Sequence, residues 1–124
     1  MKNLLIFFIL FSACNQNKSL NLQPNKVYDL LLNSNKNNSI LLDVRTKEEV
    51  DENKIDNSIN IDFYSDNFKE SILSLDKSKT YYVYCRSGRR SLNTVEFMRE
   101  NGFNESYNVD GGIIKWTDLK IPLK

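Results

Sequence analysis

The chain has 124 residues, of which 40% are hydrophobic and 27% charged, and its formal net charge is +1 at pH 7. This length fits one domain, with enough apolar residues for a single core and too many for general disorder. The near-neutral charge argues against nonspecific binding of nucleic acids or anionic membranes. The chain has no histidine and two cysteines, which excludes Ser-His-Asp and Cys-His catalysis, histidine-ligated metals, disulfide scaffolds and four-cysteine metal sites.

The first fourteen residues have the pattern of an export signal. Lys2 precedes an apolar run over 4–11, and Ser12 and Ala13 then precede Cys14. The run is much shorter than the roughly 20 apolar residues that span a membrane, so it predicts a secretory signal. The small pair before the cysteine resembles a bacterial lipobox, which implies cleavage after Ala13 and a lipid on Cys14. The alternatives are an ordinary signal cut near Ala13 and a buried first strand.

The lipobox interpretation divides the chain into a signal peptide at 1–13, a lipidated tether at 14–19 and a folded domain at 20–124. It predicts an exported protein that is lipid-anchored to a bacterial membrane and faces the periplasm or the cell surface. Removal of Lys2 leaves 16 basic residues against 16 acidic ones, so attachment would depend on acyl chains and not on charge. If Cys14 is acylated, the remaining cysteine has no disulfide partner in the chain.

After the tether, short runs typical of buried strands alternate with segments whose apolar residues recur at helical spacing. In chain order we predict a possible edge strand after the polar segment 15–23, a helix from Pro24, a strand at 40–44, a short helix opened by 46–49, a strand at 58–61, a helix over 65–75, a strand at 81–84, a helix over 89–100, a strand at 107–109 and a helix from 111–112 through Trp116. Thr46 and Glu49 form a capping box at the start of the second helix. This alternation predicts an α/β domain with a mainly parallel sheet.

The segment that follows the strand at 81–84 contains the candidate nucleophile, Cys85. A glycine and three arginines follow it within five residues: Arg86, Gly88, Arg89 and Arg90. Ligands of parallel α/β folds bind at the carboxyl ends of strands, where loop N–H groups and the positive end of the next helix can surround the thiol. These features stabilise a thiolate without histidine. The alternative is a buried core cysteine without a chemical role.

Four blocks of the sequence resemble, in the same order, the motifs of the single-domain rhodanese-like sulfurtransferases. They are 42–45 with 48–50, 55–61, 84–91, and 102–103 followed by 108–113 and Trp116. The resemblance covers about residues 20–123. It implies a rhodanese-like α/β fold with a central, mainly parallel five-stranded sheet and helices on both faces. It implies no metal and no organic cofactor.

The resemblance also implies a persulfide cycle on Cys85. The thiolate would take the outer sulfur of a small donor such as thiosulfate, hold it as a persulfide and pass it to cyanide or a thiol. The loop that binds the persulfide and the substrate would consist of Arg86, Ser87, Gly88, Arg89 and Arg90. Arg90 would orient the persulfide and bind the anionic donor, whereas Arg86 and Arg89 either attract the donor or are simply solvated. We expect no nucleic-acid partner and a monomeric chain.

Three charged residues before the loop are expected to have structural roles. The resemblance implies that Arg45 pairs with Glu49 and that Asp43 lies near the mouth of the site. An ion pair that ties a strand end to the following helix would account for them. Gly111, Gly112 and Trp116 are expected to serve packing.

The sequence departs from the family pattern in one turn. The family usually has histidine where Lys54 stands, and proline and glycine where Asp56 and Asn57 stand. These differences leave the conformation of this turn, and its effect on activity, open.

Two other functions remain open at this point. Cysteine phosphatases and arsenate reductases of related fold place an arginine six residues after the cysteine, whereas Arg90 comes five after Cys85 and Ser91 takes the sixth position. This smaller loop suits one sulfur atom better than a phosphate. The second alternative is a non-catalytic module that binds a partner or senses redox state. Inactive relatives often lack the cysteine, which this chain keeps together with its whole loop.

Overall fold

The computed structural model describes residues 18–124, in which five strands alternate with five helices. The elements are β1 (Asn21–Leu22), α1 (Pro24–Leu32), β2 (Ser39–Asp43), α2 (Lys47–Glu52), β3 (Ile59–Asn60), α3 (Phe68–Leu73), β4 (Thr80–Tyr84), α4 (Arg89–Glu100), β5 (Ser106–Val109) and α5 (Gly112–Asp118). The predicted signal peptide, and Cys14 with most of the predicted tether, lie outside the described residues. No helix within 18–124 is both long and apolar enough to cross a membrane.

The five strands form one sheet in the order β1-β5-β4-β2-β3, and every neighbouring pair is parallel. The predicted α/β fold with a parallel five-stranded sheet is therefore confirmed. β4 occupies the centre, and its last residue, Tyr84, lies in register with Asp43 at the end of β2. Because all carboxyl ends meet at one edge, Cys85 emerges at that edge from the middle of the sheet.

Helices cover both faces of the sheet, and each face has its own apolar core. Val83 and Cys85 belong to the core on one side, where α3 and α4 pack. Tyr82 and Tyr84 belong to the core on the other side, which includes Trp116 of α5. Side chains alternate between the faces of a strand, so the thiol of Cys85 points toward the layer that contains α4. Burial of each large apolar side chain stabilises the fold by about 1.5–3 kcal/mol.

Local sequence signals account for several element boundaries. The capping box at α2 is present, since the Glu49 N–H donates to Thr46 Oγ1 and Glu49 Oε2 accepts the Thr46 N–H. The helix predicted over 65–75 is shorter, because the segment before it forms a turn closed by hydrogen bonds from the N–H groups of Tyr64 and Ser65 to Asp62. The helix predicted over 89–100 has the expected bounds.

The turn at 54–57, whose sequence departs from the family pattern, has a backbone conformation suited to glycine at Asn57. Asn57 has φ of 63°, in the left-handed region that asparagine tolerates better than most residues. The Asp56 N–H donates to the Leu123 carbonyl at 2.6 Å, a bond that proline could not make. The Tyr84 hydroxyl accepts the Ile55 N–H at 3.3 Å. The turn is therefore held both by the C-terminal segment and by the strand that precedes Cys85.

Candidate active site

The backbone of Cys85 is fixed by the first turn of α5. The N–H groups of Ile113 and Ile114 donate to the carbonyls of Cys85 and Arg86 at 2.9 and 3.2 Å. Gly112, at φ of 63°, lies so close that a Cβ there would collide with both carbonyls. The packing role expected of Gly112 is thus specific: it lets α5 approach the loop backbone and hold its start.

Cys85 is 1% exposed, and its thiol accepts two hydrogen bonds. Its Sγ accepts the Gly88 N–H at 3.1 Å and the Ser91 hydroxyl at 3.2 Å. Burial by itself raises the pKa of this thiol, but hydrogen bonds from the Ser91 side chain and from the backbone of Ser91, Gly88 and Ser87 outweigh burial and leave the pKa below its ordinary value. The site therefore favours a thiolate without any histidine.

Gly88 connects the thiol to the neighbouring strand. It is the N-cap residue directly before α4 and has φ of 102°, a conformation that favours glycine. While its N–H donates to the thiol, its carbonyl accepts the side-chain amide of Asn108 at 3.2 Å. Asn108 lies in β5, is 2% exposed and also donates to Asn21 Oδ1 at 2.8 Å. The loop is therefore anchored to the two strands on the β5 side of the sheet.

Arg90 is bound on its outer side by a carboxylate. Its two terminal nitrogens each donate to one oxygen of Glu49 at 2.8 Å, and its guanidinium carbon lies 5.6 Å from the centre of the Tyr64 ring. The hydrogen bonds from Arg90, more than burial or Thr46, set the pKa of Glu49, which falls to about 2. The same pair raises the pKa of Arg90 above its usual range. The positive charge beside the thiol is thus compensated before any donor arrives.

The expected pairing of Arg45 with Glu49 is wrong. Arg45 pairs with Asp43 instead, through Nη2 to Oδ2 at 2.8 Å and Nε to Oδ1 at 3.0 Å. The capping box and Arg90 occupy the Glu49 carboxylate, so Arg45 reaches only the Glu49 carbonyl, at 3.3 Å. Burial is the largest single influence and lowers the pKa of Arg45, but Asp43 and Tyr84 together outweigh it and raise the pKa. Arg45 also donates to the Asn53 carbonyl at 2.7 Å and so ties β2 to the end of α2.

The remaining loop side chains point outward. Arg86, Ser87 and Arg89 are exposed, and neither arginine takes part in an ion pair within residues 18–124. They are the free positive charges of the loop. Over the same residues, no cluster of three or more cysteine, aspartate or glutamate side chains could hold a metal ion.

Sequence reasoning missed two polar residues of the site. The sequence draws attention to Ser91 only through its spacing from Cys85. A hydroxyl three residues after Gly88 nevertheless falls on the first turn of α4, where it can face the thiol. Asn108 is a buried amide in an otherwise apolar strand, and such groups require hydrogen-bond partners. The need of a buried amide for hydrogen-bond partners could have marked Asn108 as a site residue, but it could not identify Gly88 as the partner.

The arrangement equips one sulfur atom for nucleophilic chemistry. The buried thiol accepts hydrogen bonds from donors that stabilise negative charge on sulfur. Within residues 18–124 the hydrogen bonds to Sγ come from a backbone N–H and a hydroxyl, and they are what lowers the pKa of the thiol.

Comparisons with known proteins point to one family. A model of the rhodanese-like domain matches residues 25–119. The chain is 41% identical over 76 residues to YtwF, a candidate sulfurtransferase of Bacillus subtilis, and the match covers 61% of this chain and 71% of YtwF. It is 27% identical over 84 residues to a sulfurtransferase of Allochromatium vinosum, with 68% of this chain and 77% of that one covered.

A solved structure points to the same family. The rhodanese-related protein of Thermoplasma volcanium matches with a TM-score of 0.72 and 30% identity, over 84% of this chain and 96% of that one. The region matched by the family model, 25–119, includes the whole sheet apart from β1, together with the Cys85 loop. Sulfurtransferases are thus among its relatives, and the chain belongs to the rhodanese-like domain family.

Proposed function

We propose that this protein is a sulfurtransferase that carries a sulfane sulfur as a persulfide on Cys85. The observation that carries the proposal is the buried thiol that accepts hydrogen bonds from the Gly88 N–H and the Ser91 hydroxyl. These donors stabilise negative charge on sulfur in the resting thiolate and on the terminal sulfur of the persulfide alike. Sulfur transfer is also the activity for which its relatives YtwF and the Allochromatium protein are named.

Thiosulfate is the proposed assay donor. The Cys85 thiolate attacks the outer sulfur of thiosulfate, a sulfur–sulfur bond forms at Sγ, and sulfite leaves with the electron pair of the broken bond. Cyanide or a thiolate then attacks the terminal sulfur, which restores the Cys85 thiolate. Arg86 and Arg89, exposed and without an ion pair in the described chain, attract the donor anion.

The spacing of the loop argues against phosphatase chemistry. Arg90 comes five residues after Cys85, whereas related phosphatases place their arginine at the sixth position. The Ser91 hydroxyl, in the position where such enzymes have their arginine, is directed at the thiol.

The direct test is sulfur transfer from thiosulfate to cyanide by the full-length protein and by Cys85→Ser. We expect thiocyanate formation by the wild type alone, and equal rates for the two proteins would disprove the mechanism. Thiosulfate treatment should also increase the mass of the Cys85 peptide by one sulfur atom. In Ser91→Ala, the pH profile of thiol alkylation should shift to higher pH, because a donor to the thiolate is lost.

We also propose that the protein is exported and anchored by a lipid on Cys14. The support is the sequence of the first fourteen residues alone, with its basic start, apolar run and small residues before the cysteine. Cys14→Ser should move the protein from the membrane fraction to the soluble fraction. Retention of the variant in membranes would contradict lipidation at this residue.

A further inference from the structure

Three hydrogen bonds link the edge strand β1 to the thiol of Cys85. Asn21 in β1 and Asn108 in β5 are register partners in the parallel pair, and the Asn108 amide nitrogen donates to Asn21 Oδ1 at 2.8 Å. The same nitrogen donates to the Gly88 carbonyl at 3.2 Å, and the Gly88 N–H donates to Cys85 Sγ at 3.1 Å. A residue far from the cysteine in sequence is thus connected to its sulfur.

The acceptors around the Asn108 amide fix its orientation. If the amide were turned over, its oxygen would face the Gly88 carbonyl, which cannot donate. In the orientation present, Asn108 Oδ1 is buried and accepts no hydrogen bond from residues 18–124. A buried polar atom without a partner costs about 1–3 kcal/mol. The amide is therefore explained by what its nitrogen holds in place and not by the stability of β5.

Gly88 needs more than one restraint to keep its N–H directed at the sulfur. Its carbonyl accepts the Leu92 N–H at 3.1 Å, which ties it to α4. The Asn108 amide adds a donor from the neighbouring strand, so Gly88 is tied to the sheet as well. Because glycine has no side chain to restrict its backbone torsions, the second tie limits the rotation that would move the N–H away from Sγ.

β1 lies outside the region that the family model matches, which begins at residue 25. The segment is nevertheless bound to the rest of the domain through its backbone. Arg99 donates to the carbonyls of Lys18 and Ser19 at 2.8 and 3.0 Å. These bonds do not involve the side chain of Asn21, so that side chain can be replaced while β1 stays in place.

We propose that Asn108 and Asn21 are positioning residues for the Cys85 thiol and that they act through Gly88. Asn108 holds the Gly88 backbone so that its N–H stays directed at Sγ, and Asn21 holds the Asn108 amide in its donating orientation. The proposal rests on the proposed role of Cys85 in sulfur transfer. It assigns part of the control of this cysteine to an edge strand outside the family match.

The test is the pH dependence of Cys85 alkylation by iodoacetamide in the full-length protein, followed on the Cys85 peptide by mass spectrometry. The thiolate is the reactive form, so the midpoint reports the pKa of the thiol without any sulfur transfer. Asn108→Leu keeps the approximate shape of asparagine and removes its donors. We expect it to raise the midpoint by about half to one pH unit. Arg90, whose charge acts on Cys85, keeps its partner Glu49 in every variant.

Two substitutions at Asn21 test the outer part of the link. Asn21→Leu removes the acceptor of the Asn108 amide and should raise the midpoint by a smaller amount than Asn108→Leu. Asn21→Asp keeps an oxygen acceptor of the same shape and should retain the wild-type midpoint. Both are measured in about 0.5 M NaCl, which screens the added carboxylate charge.

Asn60→Leu is the matched control. The Asn60 amide donates to the carbonyls of Asp43 and Arg45 at 3.0 and 2.9 Å, at the same edge of the sheet but without contact to Gly88. Its loss should lower the free energy of unfolding in urea and leave the alkylation midpoint unchanged. A residue that only stabilises the fold would behave in this way.

The alternative outcomes separate positioning from stability and from sulfur transfer. An unchanged midpoint in Asn108→Leu would overturn the proposal, and so would an equal shift in Asn60→Leu. If circular dichroism shows that Asn108→Leu does not fold, an unchanged midpoint in Asn21→Leu, at an exposed residue, overturns it instead. If the midpoints shift as expected but thiosulfate adds no sulfur to wild-type Cys85, the positioning is supported and the proposed sulfur transfer fails.

Discussion

Two arginine–carboxylate pairs lie at the carboxyl edge of the sheet, and they differ in burial and in partners. In the Arg45–Asp43 pair the side chains are 3% and 1% exposed; Asp43 ends β2, and Arg45 follows two residues later. In the Arg90–Glu49 pair they are 16% and 27% exposed, and the residues come from α2 and from the first turn of α4. The first pair is buried, whereas the second is partly exposed to solvent next to the Cys85 loop. The same chemical pair therefore serves the fold in one place and the site in the other.

The largest expected effect tests the buried pair. Asp43→Ala leaves the Arg45 charge buried without its carboxylate, and we expect a loss of about 3–5 kcal/mol in the free energy of unfolding. Urea denaturation followed by circular dichroism measures it. A loss below about 1 kcal/mol would show that water or another group replaces Asp43 and would remove the contrast between the two pairs.

The second prediction concerns the pair at the site. Glu49→Gln keeps the capping box but releases the positive charge of Arg90, so we expect only about 1 kcal/mol of destabilisation. We also expect kcat/KM for thiosulfate to rise severalfold, because an uncompensated cation then faces an anionic donor. Glu48→Gln removes the same charge from an exposed neighbour and should leave kcat/KM unchanged. A fall in kcat/KM for Glu49→Gln would mean that Glu49 acts mainly by orienting Arg90.

A third prediction tests the Arg90–Glu49 pair by pH. The pKa of Glu49 is lowered to about 2 from an ordinary 4.5. A lowered folded-state pKa contributes stability that is fully present above the unfolded pKa and is lost as the pH falls through the folded value. The wild type should therefore lose this contribution between about pH 4.5 and pH 2, and Glu49→Gln should not. The difference between their acid denaturation curves is the measurement, and parallel curves would contradict the assignment.

The smallest expected change in stability concerns a third ion pair, which is mostly exposed to solvent. Lys47 and Asp51 on α2 are 79% and 63% exposed and pair at 2.8 Å. Asp51→Asn should change the free energy of unfolding by less than about 0.5 kcal/mol. With Asp43→Ala measured by the same denaturation, this variant calibrates how strongly burial determines the effect of losing a carboxylate.

The sequence predicted well whatever is encoded locally. The bounds of α4, the capping box of Thr46 and Glu49, and the strand before Cys85 depend on periodicity and on contacts within a few residues. The partner of Glu49 could not be found in this way, because Arg90 lies 41 residues later and reaches it only once α2 and α4 have packed on the sheet. Arg45, four residues before Glu49, was the closer candidate in sequence and took Asp43 instead.

The roles of single atoms in the site also escaped prediction. The glycine at position 88 predicted a tight loop, but not that its N–H would bond to the thiol while its carbonyl bonds to Asn108. At Asn57 the departure from glycine suggested a changed turn, yet the backbone keeps a left-handed conformation there. In both cases the outcome depends on backbone torsions set by the surrounding fold, which residue identity restricts without determining.

The contact between α5 and the Cys85 carbonyl has a consequence for how the protein is made. Synthesis proceeds from the N-terminus, so Cys85 leaves the ribosome well before Ile113, whose N–H fixes the loop backbone. Asn108, which holds Gly88, also follows the cysteine in the chain. Until these residues arrive, the thiol lacks the framework that lowers its pKa and resembles an ordinary cysteine. The lowered pKa of Cys85 therefore depends on residues that follow it in the chain, and it appears only once β5 and α5 have packed against the loop.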